Sequence, residues 1–451
     1  MRGWVRHGVI VSAAVAACRF SPGDTGTGSD DGGLPPADAG PCQTLESECA
    51  NDTTLRTCTT LNQMPVDTAC TTWGCAVDGP GSAHCRQLVP TGTGATSADL
   101  DPDPTLSDIT LGNNDDIDTD QGTIGGAAVP AGATWKMVNG YSIFRAKSWH
   151  LTQDITVRGT HPLVLVALTD VTIDHDLDLR GDCTPGTSTS GPGGFDGAAT
   201  GDGDGKGPCG GIGGPGAIGG GGGGHGGSGG SGGSGQAAGG GAGGTPYVDD
   251  TLAVLVGGCG GGAGGVTGSN GLGGGGGGAV QIVANGAIKL TRMMGPFPGT
   301  GGAINASGCG GTKGDNSHNG GGGGGGGAIL LEAKTIDIQG FAAVNGGGGG
   351  AGGVGANGMS GEKGQASRQA ANGGSRDTND NNDGSGGDGA AGSNVNGSPG
   401  VTANHSGGGG GGVGIMRFNS QMGSASVGAN NLSPNFDDPG THTTQGSAHV
   451  Q

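Results

Sequence analysis

The residues of this chain best suited to chemistry are carboxylates placed at every second position. Asp174, Asp176 and Asp178 alternate with apolar residues in 171–181, VTIDHDLDLRG, and Asp154 holds the place of Asp176 in 149–159, WHLTQDITVRG. Side chains alternate across a strand, so these acids project from one face, with Arg158 and Arg180 near the ends of their segments. Such a grouping suits proton transfer or cation binding. The matching places further along the chain hold Gly340, Phe341 and Ala343, so the acids line no long groove. The pattern reads as a solvated outer face rather than a catalytic one.

Other chemical signals are slighter. The run DTNDNNDG at 377–384 resembles the start of a calcium loop, with Asp377, Asp380 and Asp383 as weak Ca2+ candidates. Counted from Asn379, the twelfth place is Ala390, where such a loop needs a bidentate Glu. GDGDG at 201–205 is too degenerate for a nonapeptide calcium repeat. No histidine pairs with Cys or Glu at zinc spacing, and no G-x-S-x-G stands between a strand and a helix. No metal, other cofactor or small-molecule substrate is expected beyond that weak Ca2+ site.

Cysteines carry the remaining reactivity. Cys42, Cys49, Cys58, Cys70, Cys75 and Cys85 form an even-numbered cluster with few apolar neighbours, which reads as a small disulfide-stapled module. It has no C-x2-C pair and His84 is its only histidine, which argues against zinc. The pairing is left open. Cys183, Cys209, Cys259 and Cys309 fall in glycine-rich sequence, where disulfides would clamp long loops at about 3–4 kcal/mol each.

The acids require strands to hold them, and a repeat supplies these. Segments 149–159 and 171–181 align without gaps at an offset of 22 residues: Trp149 and Leu151 match Val171 and Ile173, and Ile155 and Val157 match Leu177 and Leu179. A further copy has Leu331, Ile336 and Ile338 at the same phase, and another has Ile282 and Ile288. Leu165, Met416 and Phe418 extend the series, and Ile109, Leu111 and Ile117 begin it. Three short strands in about twenty residues predict a mostly β fold, a short parallel β-helix of about 20–22 residues per coil. Each coil stacks on the next at about 4.8 Å.

The 117 glycines are placed with respect to this repeat. Long tracts leave after Leu179, Ala306 and Val344 and return into Val280, Ile329 and Met416, so they must lie side by side on one flank. Disordered loops are one outcome. The other is laterally bonded polyglycine-II helices with three residues per turn, and HGGSGGSGGSG at 225–235 has that period.

The formal charge of −19 opposes binding to nucleic acid or anionic lipid. Arg2, Arg6 and His7 precede a short apolar run, 9–17, that ends in Val15-Ala16-Ala17-Cys18. This resembles the lipobox of bacterial lipoproteins, which implies cleavage before Cys18 and acylation of its thiol. An ordinary secretory signal with a chance cysteine is the alternative. The chain then divides into a signal peptide (1–17), an acylated Cys18 with a flexible tether (18–41), the six-cysteine module (42–88), the β-helix (100–420) and a polar tail (421–451). Glycine-rich insertions fall at 181–278, 308–327 and 346–412.

As a whole the mature chain resembles glycine-rich, parallel-β-helix-type surface lipoproteins of myxobacteria, a family without an assigned activity. The resemblance rests on VAAC at 15–18, the cysteines at 42–85 and junctions such as GGGGGGAILLEA. It implies a lipid-anchored protein of the cell envelope, at the outer membrane or cell surface. The expected role is non-enzymatic, structural or adhesive, with polysaccharide or matrix as partner. A β-helix protein that binds or degrades carbohydrate is one alternative; a polyglycine surface that binds ice or a polymer is another.

Overall fold

In a computed structural model the described residues are 41–70, 72–77, 82–92, 94–214, 216, 218–235, 239–265, 271–292, 301–315, 318–353, 358–378 and 382–451. They are mostly β, with one short 3-10 helix at Ser97–Leu100. Residues 1–40, which hold the expected signal peptide, Cys18 and the expected tether up to residue 40, lie outside them.

The repeat builds three columns of parallel strands. In the first, Tyr141–Ala146, Leu163–Ala167, 279–284, 328–333, Ile415–Ser420 and Thr443–Ser447 pair in turn, which aligns Phe144, Leu165, Ile282, Leu331 and Phe418. The second runs Asp108–Leu111, Ser148–Leu151, Val171–Ile173, 287–290, 335–338 and Ser426–Val427. The third runs Ile117–Asp118, Ile155–Arg158, Asp176–Asp178, Ala303–Asn305, Phe341–Ala343 and Leu432–Ser433. Ala279–Leu290 and Ala328–Ile338 each span the first two columns, and the extra residue at Asn285-Gly286 is taken up by a bulge. Apolar side chains from all three columns meet in one buried cluster that includes Trp149, Ile155, Leu165, Leu177, Ile304 and Leu331.

A second core lies on the opposite face of the first column. Ile143, Val164, Val166, Val283, Leu330 and Ile415 are covered there by Leu88, Ala95, Leu100, Leu252 and Leu255. Strands buried on both faces read as continuous apolar runs, as LVLVA at 163–167 does. One carboxylate is sealed into this layer. Glu332 is 1% exposed and accepts from the Thr91 amide and hydroxyl, from Gln281 Nε2 at 2.7 Å and from Asn419 Nδ2 at 3.1 Å. Fully bonded, it ties the segment after the cysteine module to three strands of the column.

The polar-tail reading of 421–451 is corrected. This segment supplies the last strand of every column, and Leu432, Ser433 and Thr443 are buried. Phe436 packs edge-on against Phe418 at 5.7 Å and closes that end of the core. The segment's polarity misleads because a terminal strand needs one apolar face only, and its backbone bonds do not depend on side-chain type.

The glycine tracts join the third column to the first and are bonded to one another. From Gly320 to Gly327 successive amides donate to three neighbours in rotation. Gly320, Gly323 and Gly326 donate to the carbonyls of Ser406, Gly409 and Gly412. Gly321, Gly324 and Gly327 donate to Thr312, Cys309 and Ala306, while Gly322 and Gly325 donate to Gly262 and Cys259. Three more threads donate back, through Gly220 and Gly223, Gly350 and Gly347, and Gly274 and Gly277. The thread is thus buried among six others, with a turn of three residues.

Disulfides Cys183–Cys309 and Cys209–Cys259 grip two of those six threads. The cysteine module is closed by Cys42–Cys58, Cys49–Cys75 and Cys70–Cys85.

Two substitutions test this packing. Ile336 is 2% exposed in the inner cluster, so Ile336→Asp should cost about 4 kcal/mol or more, whereas the outward Asp337→Ala should change stability by less than about 0.5 kcal/mol. Urea unfolding of both variants measures this, and equal losses would mean the strand phase is wrong. A Cβ on Gly322 would lie 2.0 Å from the Gly221 carbonyl oxygen, but one on Gly239 meets nothing within 4 Å. Gly322→Ala should therefore cost about 3 kcal/mol, and Gly239→Ala almost nothing, by the same measurement.

Candidate functional site

Two surfaces merit functional consideration: the acidic face of the second and third columns, and the outer layer of glycine threads.

On the acidic face, the pairing of Ile155 with Leu177 places Asp154 beside Asp176, whose amide donates to Asp154 Oδ1 at 3.2 Å. The acids predicted to cluster do so. Of the two arginines, Arg180 joins these acids and Arg158 does not. Arg180 forks onto Asp178 at 2.9 and 2.7 Å and donates to the Gly364 carbonyl, which fastens the face to the glycine layer. Arg158 instead reaches Asp116 at 3.3 Å. Above Asp176 and Asp178 the column continues with Ala303 and Asn305, then Phe341 and Ala343, so the acidic stripe ends there.

Histidines complete this face, and the sequence reading passed over them. His150 Nε2 lies 2.6 Å from Asp174 Oδ2, whose other oxygen accepts from Thr291 Oγ1 at 2.6 Å. His175 lies 3.4 Å from Asp154, and His161 lies 2.7 Å from Asp120. The partners His150 and Asp174, like Asp154 and His175, are separated by nearly one repeat of sequence, so the 22-residue offset extended to polar positions would have found them.

The electrostatics single out Asp176. Burial, then repulsion from Asp154 and Asp178, raises its pKa to about 6, against the pull of Arg180 and His175. Near that pH it can lend and recover a proton. Buried His225 is shifted the other way. Its Nδ1–H donates to the carbonyls of Gly326 and Gly327 at 2.9 and 3.1 Å, and burial lowers its pKa to about 4. It is a neutral structural pin between the threads.

Two of the three calcium candidates fall among the described residues. Asp377 and Asp383 are buried, and Asp383 accepts from His405 Nδ1 at 2.9 Å; Asp380 lies outside the described residues. Among the described residues no three His, Cys, Asp or Glu side chains are grouped to hold a metal ion.

The glycine layer offers a different kind of surface. Ser228, Ser231 and Ser234 occupy every third place of one outer thread, beside Asn396, Pro399 and Thr402 on the next. The Ser228 amide donates to Asn396 Oδ1 at 2.9 Å and the Ser234 amide to Thr402 Oγ1 at 3.2 Å. Gly397 and Gly400 donate to the Ser228 and Ser231 carbonyls, which locks the two threads in register. Ser231, Asn396, Pro399 and Thr402 are exposed, while Gly230, Gly232 and Gly233 behind them are buried.

The Asp176 shift has a measurable sign. Its folded pKa lies above the unfolded value, so the native state holds the extra proton between about pH 4 and pH 6, and stability falls as pH rises through that window. Asp176→Asn should therefore raise the melting temperature at pH 7 and have no effect at pH 3.5. A variant less stable than the parent at pH 7 would contradict the burial and repulsion assigned to this carboxyl.

Comparison with known protein families, with curated proteins and with solved structures finds no match to this chain.

Proposed function

We propose that this protein is a non-enzymatic, exported lipoprotein of the cell envelope with a structural or adhesive role. In this reading the three columns wind as a short parallel β-helix, and the glycine threads pack beside it as polyglycine-II helices. Cys18 carries the lipid, and 18–41 is the tether that holds the body away from the membrane. Among the described residues no helix is long and apolar enough to cross a membrane.

The observation that carries the adhesive role is the registered display of Ser231, Asn396 and Thr402 over a hydrogen-bonded glycine backbone. Short side chains on a rigid, repeating support lose little entropy when they bind, and they offer hydroxyl and amide groups at a fixed spacing. That chemistry suits a neutral, hydroxyl-rich polymer such as polysaccharide or matrix. The charge of −19 disfavours acidic polymers and nucleic acid. A carbohydrate-degrading enzyme is the second reading, favoured by the raised pKa of Asp176 beside Asp154.

The test uses the full chain carrying Cys18→Ser. This variant should leave the membrane fraction, whereas the parent should partition into detergent; unchanged partitioning would sink the lipid anchor. The released protein should co-sediment with cellulose or chitin, and Ser231→Glu with Thr402→Glu should weaken that at least about tenfold. Binding indifferent to both substitutions would remove the adhesive surface from the glycine layer, and release of reducing sugar abolished by Asp176→Asn would favour the enzyme.

A further inference from the structure

Asparagine followed by glycine is a pairing at which a peptide chain can modify itself, because glycine has no Cβ to hinder attack by its own amide nitrogen on the asparagine side chain. The chain has eight such pairs, and six lie wholly among the described residues: 139–140, 285–286, 319–320, 345–346, 372–373 and 396–397. Hydrogen bonding divides the six.

In five of them the glycine amide is already committed. Gly286 donates to the Thr169 carbonyl at 2.7 Å, and Gly320, Gly346 and Gly397 donate to the carbonyls of Ser406, Ala390 and Ser228, each at 2.9 Å. Gly373 donates to Asp388 Oδ1 at 2.8 Å. Several of the asparagine side chains are held as well. Asn319 Nδ2 donates to the Gly265 carbonyl at 3.0 Å, and Asn345 Nδ2 to the carbonyls of Gln365 and Ser367 at 2.8 Å. Asn372 Nδ2 donates to Glu362 at 2.9 Å, and Asn396 Oδ1 accepts from the Ser228 amide at 2.9 Å. Attack at any of these five requires the peptide to rotate, which breaks a bond to a neighbouring segment.

Asn139 and Gly140 are placed differently. They form the turn between Ala133–Val138 and Tyr141–Ala146, whose ladder closes at Val138 and Tyr141. Their φ angles of 52° and 82° are the left-handed pair that a two-residue hairpin turn uses. Both residues are exposed, and a Cβ on Gly140 would meet nothing within 4 Å. Among the described residues none accepts a hydrogen bond from the Gly140 amide. The peptide between the two can therefore rotate its nitrogen toward the side chain and leave the ladder intact.

We infer that Asn139 is a self-modification site, the one of these six at which the folded protein converts asparagine to aspartate and isoaspartate. The Gly140 nitrogen gives up its proton to solvent and attacks Cγ of Asn139. A C–N bond closes a succinimide ring, and the Cγ–Nδ2 bond breaks to release ammonia. Water then adds to one of the two imide carbonyls. Opening at Cγ leaves aspartate; opening at the main-chain carbonyl leaves isoaspartate, whose backbone runs through Cγ and is one carbon longer. Either product adds a carboxylate to the turn. The lengthened turn also loosens Ala133–Val138 from the first strand of the first column, where Trp135 Nε1 donates to Ser142 Oγ at 2.8 Å.

The experiment holds the folded, oxidised full-length protein in warm, mildly alkaline buffer and follows its proteolytic peptides by mass spectrometry. Conversion at Asn139 should outpace each of the other five sites by at least about tenfold, read as a gain of about 1 Da. Protein isoaspartyl methyltransferase should label the same peptide. In urea with the disulfides reduced, the six sites should convert at similar rates, which isolates the fold as the cause. Asn139→Gly keeps a residue suited to the left-handed turn and should abolish labelling of that peptide. Conversion of Asn285, Asn319, Asn345, Asn372 or Asn396 in the folded protein as fast as Asn139 overturns the proposal. So does an Asn139 that stays unchanged while the unfolded chain converts. The same rank order and spread of rates in urea as in the folded protein would assign the selectivity to local sequence and equally overturn it.

Discussion

The structure depends on one contact: a backbone amide of one glycine thread meeting a backbone carbonyl of the next with no Cβ between them. Around Gly320–Gly327 this contact is made toward six neighbours. A methyl group on Gly322 or Gly324 would lie 2.0 Å from a carbonyl oxygen of an adjacent thread, so side chains are excluded by geometry. Ordering each residue costs about 1–2 kcal/mol, and a backbone hydrogen bond returns about 0.5–1.5 kcal/mol net. Hydrogen bonds between threads alone come close to balance, and the surplus must come from elsewhere.

It comes from the strand columns and the disulfides. Each long tract starts where the third column ends and finishes where the first begins, so the apolar core positions both of its ends. Cys183–Cys309 and Cys209–Cys259 then fix threads that flank Gly320–Gly327 directly. The dependence runs both ways. Ala303–Asn305 pairs with Asp176–Asp178 although a long glycine-rich excursion separates them in sequence, and a floppy excursion would charge that pairing a large loop-closure entropy. Packed threads make the closure local.

The parts legible in sequence were those governed by strand period. The offset that relates Trp149 to Val171 and Ile155 to Leu177 is the register found in the columns, and Ile282, Leu331 and Ile338 fall in the core at the expected phase. Three things were not legible. The second core needs Leu88, Leu100 and Leu252 to meet Val164, and no periodicity links residues so far apart. The final strands at 426–447 carry too few apolar residues to register as a repeat. The histidines on the acidic face are found only when the repeat offset is applied to polar residues. The acids themselves were legible as a group, since alternation alone puts Asp174, Asp176 and Asp178 on one side. What alternation could not convey is that Arg180 spends its charge on Asp178 and Gly364 and leaves Asp176 poorly compensated.

That imbalance also bears on where function can reside. Asp176 gains stability for the fold when protonated, between about pH 4 and pH 6, whereas His225 loses it when protonation is demanded below about pH 6.5. The two groups act in opposite directions over the same range. A body of this kind is poor in aromatic residues, with seven Phe, four Trp and two Tyr in 451 positions, and so has few bulky side chains with which to build deep pockets. What it has instead is a backbone so fully bonded that the few side chains it displays stand at fixed intervals. In the adhesive role proposed above, recognition by such a surface rests on repetition, with many weak and similarly spaced hydrogen bonds, and a repeating partner is the kind that can use them all at once.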